Sequence, residues 1–312
     1  TYRGPLLKTI EQIAESFKPW NPGTELTVGL FSSVVPEFDE RAFREALVNA
    51  FGHRDYSLLG RVRVLVDDAG LTIANPGGFV EGINVHNLLT AEPRGRNPCL
   101  MDALKRTGLA ERTGRGIDRI FEGALNYGRP LPDYSRSNRR GVSVLLPRSV
   151  PDKAFVELLA EERERSGKSM SLDGLLILDK LKSERRCGFD VLSGSLDMSD
   201  QRLRTVLGQL TEAGLVESAG VGARRTYMLG AKVYRRSGRA MEYVRQSDID
   251  RVRYPELIIE LMHEQKSVSK NDVMELLHLE ENQAYYQLRK LVLEGRAKKV
   301  GSGRNVRYAA VR

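Results

Sequence analysis

The C-terminal half of the chain carries one pattern twice, and this repeat constrains the fold more than any other feature of the sequence. Each copy reads as three amphipathic helices, a glycine that ends the third helix, and a short hairpin with a glycine-rich turn. We predict the helices at 172–184, 190–196 and 200–213 in the first copy, and at 255–264, 270–277 and 281–294 in the second. Duplication of a single module, at a period of roughly eighty residues, explains this order better than chance.

The predicted hairpins lie in the most basic parts of the chain. Residues 224–239 contain six basic side chains and no acidic one, and residues 296–312 again contain six and none. The net charge of the whole chain is +8. A single basic run is usually solvated surface, but two runs at equivalent places in two similar units favour phosphate binding.

Three helices followed by a basic hairpin is the order of a winged helix-turn-helix. In that module the third helix enters the major groove of DNA, and the hairpin, or wing, lies on the phosphates. Both third helices keep apolar residues on one face and hydrogen-bonding residues on the other. The residues that we expect to contact double-stranded DNA are Gln201, Arg202, Arg204, Thr205, Arg224, Arg225, Gln283, Gln287, Lys290, Lys298, Lys299, Arg304 and Arg307.

A second interpretation of these units stays open. Winged helices also serve as protein-interaction modules, and Glu280 and Glu281 at the start of the last helix would repel phosphate. A platform for single strands is disfavoured, since the β segments are poor in the aromatic side chains on which bases stack. Duplex binding is therefore the leading hypothesis, with protein recruitment as its alternative.

The first 150 residues predict a separate α+β domain with a polar stripe on one helix. The side chains of Glu45, Asn49 and His53 recur every four residues and share one helical face. The other face is apolar, so the stripe is suited to line a cleft. An Asn carbonyl oxygen is a ligand for Mg²⁺, and a Glu can orient or deprotonate a water molecule.

Two glycine-containing turns follow the stripe. One is Asn75-Pro76-Gly77-Gly78 after a predicted strand, and the other is Gly114-Arg115-Gly116 directly before a predicted helix. Backbone amides at a helix N-terminus form an anion site, which suits the second turn for phosphate. The sequence contains no Walker-type loop, so a helicase motor is not indicated.

In combination and in this order, these motifs resemble the C-terminal ATP-binding domain of RecG-like helicases. That domain is a divergent relative of the gyrase, chaperone, histidine-kinase and mismatch-repair ATPases, the Bergerat-fold or GHKL group. The resemblance covers roughly residues 1–147 and rests on residues 45–56, 73–78, 96–98 and 113–119. It implies ATP and Mg²⁺ as cofactors. Members of the family usually carry a Schlafen/AlbA-like domain upstream and winged helices downstream, and are described as transcriptional regulators.

The resemblance also implies roles for individual residues. Glu45 corresponds to the water-activating Glu and is the candidate catalytic residue, while Asn49 corresponds to the Mg²⁺-binding Asn. Asn75 stands where these ATPases have the Asp that reads the adenine amino group, a departure that removes a charge from the base site. The other nucleotide-binding candidates are Gly77, Gly78, Arg96, Gly114 and Gly116, with residues 87–112 as the lid.

The composition fits a protein of a reducing compartment. No apolar run approaches the length of a membrane span. Cys99 and Cys187 lie far apart, which indicates thiols and not a disulfide framework, and the histidines and cysteines show no metal-ligand spacing. We therefore expect a cytoplasmic location, with no membrane partner and no structural zinc.

Together, the sequence predicts an α+β chain in which a divergent Bergerat-type α/β sandwich precedes two winged helix-turn-helix domains. The expected segments are a leading helical segment at 1–24, the ATP-binding domain at 25–150, a charged linker at 151–170, a winged helix at 171–232, a linker at 233–254 and a second winged helix at 255–312. The expected function is DNA-binding transcriptional regulation. A slow Mg²⁺-dependent ATPase in defence or mobile-element biology, and an inert scaffold, are the alternatives. A homodimer is compatible with this organisation, and an upstream domain would lie outside a chain that starts at Thr1.

Overall fold

The described chain contains both helices and strands, in agreement with the α+β class. The computed structural model describes residues 1–28, 31–110, 114–184, 186–220, 222, 225–236, 254–277, 279, 281–301 and 306–311. These residues form two units, Thr1–Lys180 with Asp190–Gly208, and Leu181–Phe189 with Gln209–Arg312. None of the helices in these ranges combines the length and the apolar character that crossing a membrane requires.

The bounds of the elements agree closely with the periodicity of the sequence. From the N-terminus to residue 166 they are α1 (Leu6–Phe17), β1 (Gly23–Val28), β2 (Phe31–Pro36), α2 (Glu40–Gly52), β3 (Arg63–Asp67), β4 (Gly70–Pro76), α3 (Pro98–Arg106), α4 (Gly116–Leu125), β5 (Gly141–Pro147) and α5 (Lys153–Ser166). Then follow α6 (Leu172–Glu184), β6 (Arg186–Gly188), α7 (Phe189–Leu196), α8 (Asp200–Glu212), β7 (Val216–Ala219), β8 (Thr226–Leu229), α9 (Ala231–Arg236), α10 (Tyr254–Gln265), α11 (Lys270–Leu277), α12 (Glu281–Leu293), β9 (Ala297–Val300) and β10 (Arg307–Ala310).

An antiparallel sheet of β3, β4 and β5, with β4 in the centre, supports the first unit. Leu71 and Ile73 of β4 and Val144 of β5 are buried, and α2 packs against β4. The register pairs Asn75 with Val142 and Ile73 with Val144. The candidate base-reading position therefore lies beside apolar residues at one end of the sheet.

Helices α2 and α4 pack closely and set the geometry between them. The side chain of Asp39 caps α2 by accepting hydrogen bonds from the backbone N–H groups of Arg41 and Ala42, both at 2.9 Å. A Cβ at Gly123 of α4 would lie 2.6 Å from the Cβ of Ala42, so this approach requires glycine. The contact aligns the first turn of α4 with the middle of α2.

Residues 153–166 of the predicted charged linker form helix α5. Asp152 caps it by accepting a hydrogen bond from the backbone N–H of Phe155 at 3.2 Å, and Gly167 ends it with a φ of +69°. Phe155 and Leu158 are buried, and so is Glu162, which accepts hydrogen bonds from Arg165, while Lys153, Arg163, Glu164 and Arg165 are exposed. The charge pattern of this segment is thus that of an amphipathic helix.

The second unit contains the last three helices and both small sheets of the C-terminal half. Strands β6, β7 and β8 form a sheet in the order β6-β8-β7, and β9 pairs with β10. Val268 joins the latter hairpin through two backbone hydrogen bonds with Tyr308, at 2.7 and 2.8 Å. Helices α10, α11 and α12 enclose a core that includes Ile258, Val273 and Leu288. Most of the predicted linker at 233–254 lies outside the described residues.

Candidate functional site

A cavity of about 470 Å³ lies in the first unit, a volume within the range of small-molecule sites. Its walls come from α2, α3, β4, β5, the first turn of α4 and the connecting residues 79–95. Five of the eight nucleotide-site candidates line it: Glu45, Asn49, Asn75, Gly114 and Gly116. The other three, Gly77, Gly78 and Arg96, are not among the residues that line it.

The polar stripe of α2 meets the first turn of α4 at one end of the cavity. Glu45 is only 2% exposed, and Asn49 follows it by one helical turn. A Cβ at Gly116 would lie 3.0 Å from Glu45 Oε2 and 3.3 Å from Asn49 Nδ2. The carboxylate and the amide of α2 therefore meet the N-terminus of α4 in the same small volume, although about seventy residues separate the two helices' contributions in the sequence.

The turn before α4, residues 114–116, lines the cavity. Among the described residues, no side chain caps this helix, because Arg115 occupies the N-cap position without a capping hydrogen bond. Gly114 has a φ of +76°, and a Cβ there would lie 3.0 Å from Pro93 Cγ. The first N–H groups of a helix lack intrahelical partners, and an uncapped turn of this kind is suited to an anion.

Asn75, near the end of β4, also lines the cavity. It is buried, and its Nδ2 donates to the carbonyl oxygens of Pro76 at 3.1 Å and Gly77 at 3.5 Å. These two acceptors fix the orientation of the amide and leave its Oδ1 as the acceptor. The position therefore presents an acceptor, without the negative charge of an aspartate.

Gly77 and Gly78 serve the packing of the turn after β4. Gly77 has a φ of +93°, and a Cβ there would lie 2.6 Å from Asp55 Cβ. A Cβ at Gly78 would lie 2.7 Å from the carbonyl oxygen of Asn138. Both positions therefore need glycine for close backbone contact.

Arg96 holds the predicted lid segment to the rest of the domain. Its Nη2 donates to the carbonyl oxygen of Gly78 at 2.9 Å, and its Nη1 lies 3.5 Å from Asp55 Oδ2. The neighbouring Asn97 donates to the carbonyl oxygens of Gly52 and Arg54, at 2.9 and 2.8 Å, where α2 ends. Arg96 is thus an anchor of the lid, whereas Arg94, two residues earlier, lines the cavity.

Charged side chains of both signs line the cavity. Arg94, Lys105 and Arg115 are basic, and Asp102 of α3 and Asp118 in the first turn of α4 are acidic. Burial, and then the charge of Glu122, raise the pKa of the Asp118 carboxyl. Burial, and then the charge of Arg96, lower the pKa of His53, so its imidazole is neutral near pH 7.

Sequence reasoning missed the aromatic wall near the sheet. Phe79 and Tyr134 line the cavity, with ring centroids 6.3 Å apart, and Phe121 of α4 stacks on Tyr134 from the other side at 6.4 Å. Burial raises the pKa of the Tyr134 hydroxyl. In the sequence, the aromatic residue directly after Gly78 is the one sign of this wall. The contact of Phe79 with Tyr134 could not be predicted, because it joins residues more than fifty positions apart and leaves no local pattern.

Helix α8 shows the predicted division into two faces. Leu203, Val206 and Leu207 are buried, whereas Gln201, Arg202, Arg204 and Thr205 are exposed. Arg202 is already engaged: its Nε and Nη2 donate to the two carboxylate oxygens of Asp173 on α6, at 2.5 and 2.7 Å. Arg204 lies 3.8 Å from Asp200, and Thr205 donates to the carbonyl oxygen of Gln201.

Helix α12 shows a similar division with a different chemical character. Ala284, Leu288 and Leu291 are buried, Gln283 and Lys290 are exposed, and Gln287 is half-buried. Lys290 lies 3.9 Å from Glu294. Tyr285 and Tyr286 are 50% and 64% exposed, so two aromatic rings dominate the outer face.

The structure describes four of the six basic residues predicted to contact phosphates from the hairpins. Arg225, Lys298 and Lys299 are exposed. Arg307 is also exposed, but it is already bound to Ser267 and Asp272, with its Nη2 2.7 Å from the carbonyl oxygen of Ser267. Arg224 and Arg304 lie outside the described residues.

The comparisons with known proteins concern the domain that contains the cavity. Residues 60–146 match the family described as "Putative ATP-dependent DNA helicase recG C-terminal". This segment includes Asn75, Arg96 and the Gly114–Gly116 turn, but it begins after Glu45 and Asn49. None of the curated proteins matches the chain.

A solved structure with a similar fold extends over the whole chain. The DIP2311 protein from Corynebacterium diphtheriae is 23% identical, with a TM-score of 0.62, and the match covers 99% of this chain and 54% of that one. The chain therefore spans about half the length of that protein and shares its fold. Residues 60–146 are related to the ATPase-like C-terminal domain of the RecG family.

Proposed function

We propose that this chain is a DNA-binding transcriptional regulator whose N-terminal domain binds ATP with Mg²⁺ in the 470 Å³ cavity. The observation that carries the proposal is the meeting of Glu45 and Asn49 with the N-terminal turn of α4 at Gly116. The relationship of residues 60–146 to an ATPase-like family supports the choice of nucleotide.

The phosphates of ATP fit the α4 end of the cavity. The uncapped N–H groups at Gly116 and the dipole of α4 favour a bound anion. Arg94, Lys105 and Arg115 line the same cavity and add positive charge. The acidic side chains of Asp102 and Asp118 also line the cavity and oppose this charge.

The base fits the sheet end of the cavity. The Oδ1 of Asn75, fixed by the two hydrogen bonds of its Nδ2, accepts the hydrogen bond of an exocyclic amino group. Ile73, Val142 and Val144 provide an apolar floor, and Phe79 provides an aromatic side wall for the ring. Because a neutral amide replaces a carboxylate, we expect a weaker hydrogen bond to the base than an Asp would give.

The donor set of α2 fits a Mg²⁺ that is bound together with nucleotide phosphates. Mg²⁺ prefers oxygen ligands and usually takes one or two from the protein and others from phosphates and water. The amide oxygen of Asn49 would supply the protein ligand, and Glu45 would orient or deprotonate a water molecule for hydrolysis. The bound metal would neutralise charge on the phosphates. Slow ATP hydrolysis is therefore part of the proposal.

The helices and hairpins of the C-terminal half support a DNA-binding role for winged helices. Helices α10, α11 and α12 precede the β9–β10 hairpin, and α6, α7 and α8 precede the β7–β8 hairpin. In both copies the third helix buries its apolar face and exposes Gln, Arg or Lys side chains. Exposed cations on the hairpins, including Lys298 and Lys299, suit phosphate contacts.

The aromatic outer face of α12 favours a second role for the second copy. Tyr285 and Tyr286 are large exposed side chains of the type that anchors protein interfaces. Glu281, which is paired with Lys270, adds an acidic group at the start of the helix. Protein recruitment by the second copy, with DNA binding by the first, is thus the alternative arrangement.

Nucleotide binding is tested with a fluorescent ATP analogue and Mg²⁺, titrated into the full chain. Asn49→Ala should weaken Mg²⁺-dependent binding at least tenfold without unfolding the chain, since it removes a ligand and not a core side chain. Asn126→Ala is the matched control, because Asn126 is an exposed asparagine outside the cavity. Equal affinity of the wild type and Asn49→Ala would contradict the proposed site.

Hydrolysis and duplex binding require separate assays. Glu45→Gln should abolish phosphate release and retain nucleotide affinity, because glutamine keeps the shape but is no base. Duplex affinity should fall steeply with salt concentration, since wing cations release counterions when they bind phosphates. Weak binding that does not respond to salt would favour the protein-recruitment alternative.

A further inference from the structure

One stretch of the lid region is ordered by its own asparagines and closes one side of the cavity. Residues 82–91, here called the cover segment, are held by Asn87, whose Oδ1 accepts from the backbone N–H of Asn84 at 2.8 Å and whose Nδ2 donates to the carbonyl oxygen of Gly82 at 2.9 Å. The side chains of Leu88, Leu89 and Ala91 line the cavity. A ligand in the cavity would therefore contact the cover segment directly.

The opposite side of the cover segment is attached to the turn before α8. Thr90 donates from its hydroxyl to Asp197 Oδ2 at 2.6 Å. Asp197 connects α7 to α8 and has a φ of +49°, a left-handed conformation that few residues other than glycine adopt. This contact joins the cover segment, which lines the cavity, to the connection between α7 and the proposed recognition helix α8.

The first turn of that helix is held by a second contact. Arg202 gives two parallel hydrogen bonds to Asp173, whose side chain is only 13% exposed. Reading a guanine would require the same planar fork of donors, so Arg202 has to leave Asp173 before it makes a bidentate base contact. In the arrangement of this structure, the arginine best suited to read DNA is withdrawn.

The charges of this pair extend to the phosphate end of the cavity. Asp118 lines the cavity, and the charges of both Arg202 and Asp173 act on its carboxyl group. A bound triphosphate would add negative charge in the cavity, on the side of Arg202 where Asp118 lies. That charge would attract Arg202 toward its present position and oppose its movement to DNA.

We infer that the cover segment is a latch through which a nucleotide in the cavity lowers the affinity of the chain for duplex DNA. This inference rests on the proposed function. A filled cavity stabilises the cover segment, the Thr90–Asp197 contact holds the turn before α8, and Arg202 stays on Asp173. Linkage makes the effect reciprocal, so duplex DNA lowers the affinity for nucleotide by the same factor.

The test measures duplex affinity at fixed salt, with and without a saturating non-hydrolysable ATP analogue and Mg²⁺. In the wild type we expect the analogue to weaken duplex binding at least about fivefold, the lower end of ordinary allosteric coupling. Thr90→Val removes the hydroxyl at an exposed position and should reduce this effect to less than twofold. Thr107→Val is the control, since it removes another exposed threonine hydroxyl in the same region and should retain the full effect. Within the described residues, this hydroxyl donates to carbonyl oxygens of α3.

The outcomes separate the latch from the proposed function. If both ligands bind but the analogue leaves duplex affinity unchanged or raises it, or if Thr90→Val keeps the full effect, the latch is refuted while the proposed function stands. If the analogue does not bind, both fail together.

A distance measurement gives a second readout that needs no DNA. Spin labels on the exposed Cys99 and on Val191→Cys in α7 report on the two sides of the latch, and the buried Cys187 should remain unlabelled. We expect the analogue to narrow the distance distribution in the wild type and to leave it unchanged in Thr90→Val. Identical responses of the two proteins would overturn the inference.

Discussion

Replacing Gly116 with alanine should separate ligand binding from stability. A Cβ at this position would lie 3.0 Å from Glu45 Oε2 and 3.3 Å from Asn49 Nδ2. These are ends of flexible side chains, which can move by a few tenths of an ångström. Since alanine is a better helix former than glycine, we expect the free energy of unfolding to change by less than about 1 kcal/mol.

The affinity for nucleotide should respond much more strongly to Gly116→Ala. The added methyl group occupies the volume in which α2 and the α4 amides meet, so a phosphate there loses at least one hydrogen bond. A hydrogen bond to a charged group contributes about 1.5–3 kcal/mol. This corresponds to an increase in Kd of about 10- to 150-fold, which calorimetric titration of Mg²⁺-ATP measures directly.

A second glycine provides the control for this experiment. Gly194 lies in α7, and among the described residues no atom outside its own stretch of helix lies within 4 Å of an added Cβ. Gly194→Ala should stabilise the chain by up to about 1 kcal/mol and leave the Kd unchanged. A folded Gly116→Ala variant that binds Mg²⁺-ATP like the wild type would refute the reasoning, because the phosphates would then lie elsewhere.

Three further predictions follow from the packing, a pKa and the hairpin. In chemical denaturation, Gly77→Ala should lower the free energy of unfolding by about 1–3 kcal/mol more than the control Gly108→Ala. Both glycines have left-handed φ values, but of the two, Gly77 is the one at which an added Cβ would meet neighbouring atoms. Burial lowers the pKa of His53 in the folded chain below its usual value near 6.5. The contribution of His53 to the free energy of unfolding should therefore be constant above about pH 6.5 and should decrease below it, because the unfolded chain takes up the proton first. His53→Gln should reduce this fall in thermal unfolding at pH 7 and pH 5, and an unchanged profile would contradict the assignment. Lys298 and Lys299 are adjacent in β9 and point to opposite faces, so only one of them can contact a given phosphate backbone. Replacing both with alanine should therefore reduce the slope of log affinity against log salt concentration by the equivalent of about one phosphate contact. A reduction equivalent to two contacts would contradict this geometry.

Local periodicity was sufficient to predict most elements and the central part of the site. The spacing of Glu45 and Asn49 fixes a shared helical face, and the glycines at 114 and 116 mark the turn before α4. The buried faces of α8 and α12 followed from the same rule, since apolar residues at helical spacing must face a core. These inferences depend on residues close together in the chain.

The features that the sequence did not predict depend on distant partners. Arg96 is a nucleotide-binding candidate by sequence, but the sequence does not indicate that its guanidinium donates to the carbonyl oxygen of Gly78, because only the fold brings that turn beside it. Arg202 was assigned to DNA as an exposed cation, and its pairing with Asp173 depends on how α6 and α8 pack. A cationic side chain on a predicted outer face can therefore already have a partner, and local patterns do not identify it.

The central claim is tested most directly by a crystal structure with a non-hydrolysable ATP analogue and Mg²⁺. We predict that the phosphates contact the backbone amides at Gly116, with the metal about 2.0–2.1 Å from the amide oxygen of Asn49. The base should lie at the other end of the cavity, with its amino group on Asn75 Oδ1. An analogue bound outside the cavity, or one whose base lies on α4 with its phosphates at Asn75, would contradict the account.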